Sequence, residues 1–191
     1  LGTGEPIPLW SYGIVEYLMG LDLSGLDCLE LGSGQSTLFF AKRCRSVTVI
    51  ENNREWMTKL ESMQIPGVTA LFAQPGTMPR KMAELRQTFQ FISIDPGENR
   101  FACAKAALPI LSDDGLLVLD NSEWYPNTAA LLRDAGLIQI DFHDFRPVHH
   151  YRTTTSLFLR PNFRPKPLGR SLPLTPIGGR YIEINNWDRP F

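Results

Sequence analysis

Five short runs of aliphatic and β-branched residues recur along the chain, at 27–31 (DCLEL), 46–51 (SVTVIE), 68–73 (VTALFA), 89–95 (FQFISID) and 116–120 (LLVLD). Each is closed by turn residues, and most are apolar on consecutive positions instead of alternating ones. That is the pattern of strands buried on both faces, as in a parallel sheet. Between the runs the apolar spacing lengthens to the helical period, predicting helices at 35–43, 54–63, 78–86, 98–111 and 126–135. A further helix at 12–21 precedes the first strand. Strand and helix alternate, so right-handed βαβ units with helices on both faces of the sheet are expected.

The pattern then changes. Two strand-like runs, 137–142 (LIQIDF) and 155–160 (TSLFLR), are separated only by a polar loop, so they must pair antiparallel. The expected fold class is α/β: a Rossmann-like, doubly wound sheet of five parallel strands ending in an antiparallel hairpin. Of the 191 residues, 1–160 form one domain in this reading. Residues 161–191 are an extension carrying prolines at 161, 165, 167, 173, 176 and 190. The extension also holds Ile177, Tyr181, Ile182, Ile184, Trp187 and Phe191, too apolar for a free linker. It is expected to pack on the domain or on a partner subunit, which would make the protein a homo-oligomer.

Nineteen basic against twenty acidic residues give a net charge of −1. That removes any global electrostatic argument for nucleic acid or an anionic membrane as partner. No apolar run approaches the ~18 residues that a membrane span requires. Cys28, Cys44 and Cys103 are odd in number and have no CxxC spacing. Free thiols in a reducing compartment, and so a cytoplasmic location, are expected.

The sharpest local signal is the run from Cys28 to Thr37, CLELGSGQST. A strand ends at Leu31, a turn with Gly32 and Gly34 follows, and a helix begins near Gln35. Glycines there let a ligand lie against the main chain, with Ser33, Ser36 and Thr37 as polar contacts. A dinucleotide fingerprint needs a third glycine where Thr37 stands. Glu30, two residues before Gly32, disfavours a pyrophosphate and suits a cationic ligand. Glu51 closes the second strand about 20 residues on, where an acid grips a ribose diol. These features favour S-adenosylmethionine, whose amino and sulfonium groups are cationic, over a nicotinamide cofactor.

ELGSGQST followed by VTVIENN resembles the first two motifs of the class I S-adenosylmethionine-dependent methyltransferases, a likeness spanning roughly residues 10–160. The resemblance implies that Glu30, Gly32 and Gly34 border the methionine part of the donor. It further implies that Glu51 holds the ribose hydroxyls, that Asn52 next to it belongs to the donor site, and that Ala73 and Gln74 lie beside the adenine.

Asp95 ends the fourth run and Asp120-Asn121 the fifth, so all three should meet where open α/β sheets bind ligands. Two carboxylates and an amide oxygen suit Mg²⁺ or another hard divalent ion. The placement resembles the metal-dependent catechol-type O-methyltransferases, with Arg100 matching their arginine. Glu98 stands where those enzymes have a lysine base. Without metal, Asp95 becomes a direct general base or a hydrogen-bond acceptor for the substrate. His149 and His150, in the loop before the last strand, are further proton acceptors, since histidine titrates near neutrality. Trp10 and Tyr12 are candidates for a lid over the cofactor, and Trp124 and Tyr125 for a wall of the acceptor pocket.

The leading expectation is O-methylation of a small-molecule hydroxyl. No N/D-P-P-Y/F element follows the fourth strand; the residues there are DPGE, which favours oxygen over nitrogen. The alternative is a non-catalytic cofactor-binding protein that docks a partner through its C-terminal extension.

Overall fold

Residues 4–169 and 176–179 are described by the computed structural model, and within them seven strands and six α-helices form. In chain order these are α1 (Tyr12–Met19), β1 (Asp27–Leu31), α2 (Gln35–Ala41), β2 (Ser46–Glu51), α3 (Arg54–Ser62), β3 (Val68–Phe72) and α4 (Met78–Ala83). There follow β4 (Phe89–Ile94), α5 (Arg100–Ala107), β5 (Leu111–Leu119), α6 (Pro126–Asp134), β6 (Ile138–Phe145) and β7 (Arg152–Leu159). Local chemistry explains several ends. The Asn53 side chain accepts from the backbone N–H of Glu55 and Trp56 to start α3, and Asn99 does the same for Ala102 in α5. The helix expected over 98–111 stops at Ala107 and continues as a 3₁₀ turn over Leu108–Ile110, because Pro109 cannot extend it.

All seven strands form one sheet in the order β3-β2-β1-β4-β5-β7-β6, with β1 to β5 parallel and β7 antiparallel to both its neighbours. The chain reverses its direction of travel across the sheet between β1 and β4. Such a switch point leaves a crevice at the strands' carboxyl ends. Two apolar layers flank the sheet. One packs Trp10, Ile14 and Leu18 with Phe39, Phe40, Val49 and Phe91; the other packs Leu29, Leu31 and Ile94 with Met78, Met82, Cys103, Ala104 and Leu132. Cys28 and Cys103 are buried free thiols, and Cys44 is half-buried.

Two expectations need correction. β5 begins at Leu111, five residues early, and its register shifts between Phe89↔Leu111 and Phe91↔Leu116. The polar residues at this irregularity hid the first half of the strand. The hairpin strands are also longer than the apolar pattern indicates: Phe142, His143, Asp144 and Phe145 pair with Thr155, Thr154, Thr153 and Arg152. β6 is an edge strand with alternating exposure, so polar side chains do not mark its end. The connecting loop therefore shrinks to 146–151.

The first part of the C-terminal extension lies against the turn between α1 and β1. Asp22 N–H donates to Lys166 O and Leu168 N–H to Gly20 O, both at 2.8 Å, and Pro167 bridges Leu21. Ile177 N–H donates to the Glu16 carboxylate. Tyr181, Ile182, Ile184, Trp187 and Phe191 lie outside the described residues. Among the described residues, no helix is long and apolar enough to cross a membrane.

Candidate functional site

The two glycines of the first turn do different work. Gly32 has φ +84, and a Cβ there would lie 2.8 Å from the Asp95 carbonyl oxygen. It is glycine because the end of β1 and the β4 exit touch backbone to backbone. Gly34 is extended, and a Cβ on it would meet nothing closer than Ser36 Oγ at 3.9 Å. Of the two, Gly34 is the one that leaves main chain open to a ligand.

Glu30 alternates with Leu29 and Leu31, which places its carboxylate on the α2 side of the sheet, where it is buried. Thr37 Oγ donates to Glu30 Oε2 at 2.6 Å and accepts from Gly34 N–H at 3.1 Å, tying the strand to the turn. Burial pushes the Glu30 carboxyl up to about 8, against the hydrogen bonds of Ser36 and Thr37, and the charges of Asp95 and Glu51 push the same way. Its register neighbour on β4, Ser93, is buried with an unpartnered hydroxyl.

Glu51 is saturated. Its Oε2 accepts from Ser33 N–H at 2.7 Å and Ser33 Oγ at 2.6 Å; its Oε1 accepts from Asn52 N–H and Asn53 N–H at 2.8 and 2.7 Å. A carboxylate offers about four lone-pair sites, so all are used within the chain. Asn52 turns its side-chain amide to Glu98 Oε2 at 2.7 Å, and the same oxygen accepts from Gly76 N–H at 2.6 Å. Glu98 thus ties together the loops after β2, β3 and β4, while its Oε1 is buried and unpartnered. Ala73 is buried, with its N–H on Glu51 O, and Gln74 is exposed.

The second constellation forms at the ends of β4 and β5. Arg100, buried at the start of α5, donates to Asp95 Oδ1 at 2.7 Å and to the backbone oxygen of Asp120, and its guanidinium lies over the Tyr125 ring. Trp10 Nε1 donates to Asp95 Oδ2 at 3.3 Å, and the rest of its ring is buried against Phe40. Trp10 is thus a strut for Asp95, not a lid, and Tyr12 is partly exposed. Thr155 Oγ donates to Asp120 Oδ1 at 2.6 Å and accepts from Ser11 N–H. Burial first, then the Asp95 charge, push the Asp120 carboxyl up to about 7, and burial raises Asp95 as well.

Arg146, from the β6–β7 loop, reaches into the same cluster. Its Nη1 is 3.6 Å from Asp120 Oδ2. The Asn121 amide lies between them, and the orientation that satisfies both its ends turns nitrogen toward Asp120 Oδ2 and oxygen toward Arg146 Nη1, each at 2.9 Å. Arg146 Nη2 donates to His149 Nε2 at 3.2 Å, a contact that needs the imidazole neutral with its proton on Nδ1. His150 is exposed, its ring edge-on to Tyr151. Trp124 is 58% exposed.

Asp95, Asp120 and Asn121 therefore do come together, as their strand-end positions require. The oxygens that a divalent ion would need already face guanidinium groups: Asp95 meets Arg100, and Asp120 and Asn121 meet Arg146. Two resident cations beside these carboxylates do not fit a third, doubly charged one. Among the described residues no cluster of three His, Cys, Asp or Glu side chains forms a metal site elsewhere.

Arg146, Thr155, Ser11 and the cross-loop role of Glu98 escaped sequence reasoning. Thr155 and Ser11 lie in segments that read as ordinary strand and helix flank. Arg146 is one of two arginines in what reads as a polar loop.

No protein-family model matches the chain, and no curated protein matches it. Solved structures do. Fibrillarin from Aeropyrum pernix, with natively bound S-adenosyl-L-methionine, aligns at 16% identity over 76% of this chain and 72% of its own, TM-score 0.60. Precorrin-6y C5,15-methyltransferase from Geobacter metallireducens aligns at 15% identity over 72% and 81%, TM-score 0.58. N-methyltransferase NodS from Bradyrhizobium japonicum, in complex with S-adenosyl-L-homocysteine, aligns at 14% identity over 76% and 84%, TM-score 0.56. By these alignments the chain has the Rossmann-like methyltransferase fold.

Proposed function

We propose that the protein is an S-adenosylmethionine-dependent methyltransferase acting on a hydroxyl oxygen of a small molecule. The observation that carries this is the acidic rim of the glycine turn. Glu51, bound to Ser33 in the turn, and Asp95, whose backbone meets Gly32, set carboxylates next to an open Gly34 at the switch point, matching a donor whose amino and sulfonium groups are cationic. The neighbouring structures add support, since two of them hold this donor or its product.

When bound beside the glycine turn, such a donor would supply an electrophilic methyl group to the acceptor oxygen. The acceptor's proton must go to the protein. Asp120, beside Asp95, is the group assigned this role: its carboxyl titrates near neutrality, where a general base works best. Arg100 and Trp10 hold Asp95, Thr155 holds Asp120, and together they fix both carboxylates before substrate arrives. Preference for oxygen over nitrogen rests on the DPGE sequence at 95–98.

Calorimetric titration with S-adenosylhomocysteine and, separately, NAD tests the reading. The first should bind and the second should not. Binding of NAD alone would replace the methyltransferase reading with an oxidoreductase.

A further inference from the structure

We propose that the Arg146 guanidinium occupies the place beside Asp120 and Asn121 that a divalent cation would need, making acceptor binding metal-independent. This rests on the methyltransferase reading only for its meaning, not for its test. Arg146 comes from the β6–β7 loop yet its side chain is only 12% exposed, because it is drawn down to the ends of β4 and β5. It meets the same set of groups that a hard ion would use: Asp120 Oδ2 at 3.6 Å and the Asn121 amide oxygen at 2.9 Å. Asn121 takes a left-handed backbone, φ +51, uncommon for a non-glycine residue, as its side chain bridges Asp120 and Arg146. The guanidinium has five N–H donors. Nη1 serves Asn121 and Nη2 serves His149, while Nε is buried with no partner.

Each Nη keeps a second hydrogen beyond these contacts, and a planar cation held beside two carboxylates does what a metal would do for an acceptor: it attracts and orients an anionic or acidic oxygen. It does so without dehydrating an ion. The acceptor class is thus one that presents an acidic hydroxyl, a phenol, to Arg146.

Manganese titration, followed by the resonance of free Mn²⁺, tests the assignment. Wild type should show no stoichiometric site. Arg146→Met, which vacates the position but keeps the carboxylates and the amide, should gain one Mn²⁺ per chain, bound at least tenfold tighter than by wild type. Arg146→Lys should gain none, and adding Asp120→Asn to Arg146→Met should abolish the gain. One Mn²⁺ per chain in wild type, lost in Asp120→Asn, would overturn the proposal. So would an Arg146→Met protein that keeps the wild-type circular dichroism yet gains no site. S-adenosylhomocysteine affinity, measured on the same proteins, reports the donor reading separately. Its loss in wild type would end that reading while the manganese result still decides the place of Arg146.

Discussion

Glu30 is held in the site at a cost to stability. A buried carboxyl that titrates near 8 binds more protons folded than unfolded between pH 4.5 and 8, so its contribution to stability falls as pH rises through that window. At 1.36 kcal/mol per unit, holding the site against this difference costs about 3 kcal/mol at pH 7. Glu30→Gln keeps an oxygen for Thr37 and removes the cost. Urea melts should show the variant more stable by up to that amount at pH 7, with little difference at pH 4.5, while S-adenosylhomocysteine binds more weakly. Equal stability of the two proteins at pH 7 and 4.5 would refute the burial argument. The two glycines give the opposite contrast. Gly32→Ala forces a Cβ onto the Asp95 carbonyl at positive φ and should cost about 2 kcal/mol or more. Gly34→Ala meets open space, so stability should stay within about 0.5 kcal/mol while ligand affinity drops. Thermal melts and calorimetry on the pair separate packing from ligand approach.

At the scale of elements, the hairpin β6–β7 is the part that makes this site individual. β7 supplies Thr155 to Asp120, and the 146–151 loop supplies Arg146, so one antiparallel appendage closes over groups built by the parallel sheet. The strand-end acids were legible in the sequence, because a strand that stops on Asp at the carboxyl edge of a parallel sheet can only put it in the crevice. Their partners were not. Which loop residue folds back on Asp120 depends on where β6 and β7 end, and polar residues on an edge strand conceal that. Asp120 itself should impose a pH dependence: with its carboxyl near 7, methyl transfer rises as pH passes through neutrality and the base ionises. Asp120→Asn should flatten the rise together with a large loss of rate, assayed with any acceptor a substrate screen yields. A wild-type rate that falls through the same range would exclude this base. Helix α3 offers a purely structural control, since Asn53→Ala removes its cap and should cost about 1 kcal/mol without changing donor affinity.

Across the whole molecule, the extension beginning at Pro161 fastens to the turn before β1, at the amino ends of the strands, opposite the site. Truncation after Arg160 would remove the two backbone hydrogen bonds to Gly20 and Asp22 and uncover Leu21. It should lower the thermal midpoint by several degrees and leave S-adenosylhomocysteine binding in place. An unchanged midpoint and unchanged mass by light scattering would show the extension dispensable both for the fold and for assembly. What the sequence by itself determined is the local part. Runs of consecutive apolar residues located the five parallel strands. The glycine turn after β1 and the acids after β2, β4 and β5 followed from chain direction alone. Tertiary structure decided which polar groups meet. It turned Glu51 onto Ser33, Asn52 and Asn53, and set Glu98 across three loops instead of beside Asp95. It also brought Arg146 against Asp120 from 26 positions away. The reason is physical: apolar burial repeats with the period of each element and is written along the chain. Polar pairing in a buried crevice is set by three-dimensional proximity and by the need to match every charge, and neither has a period.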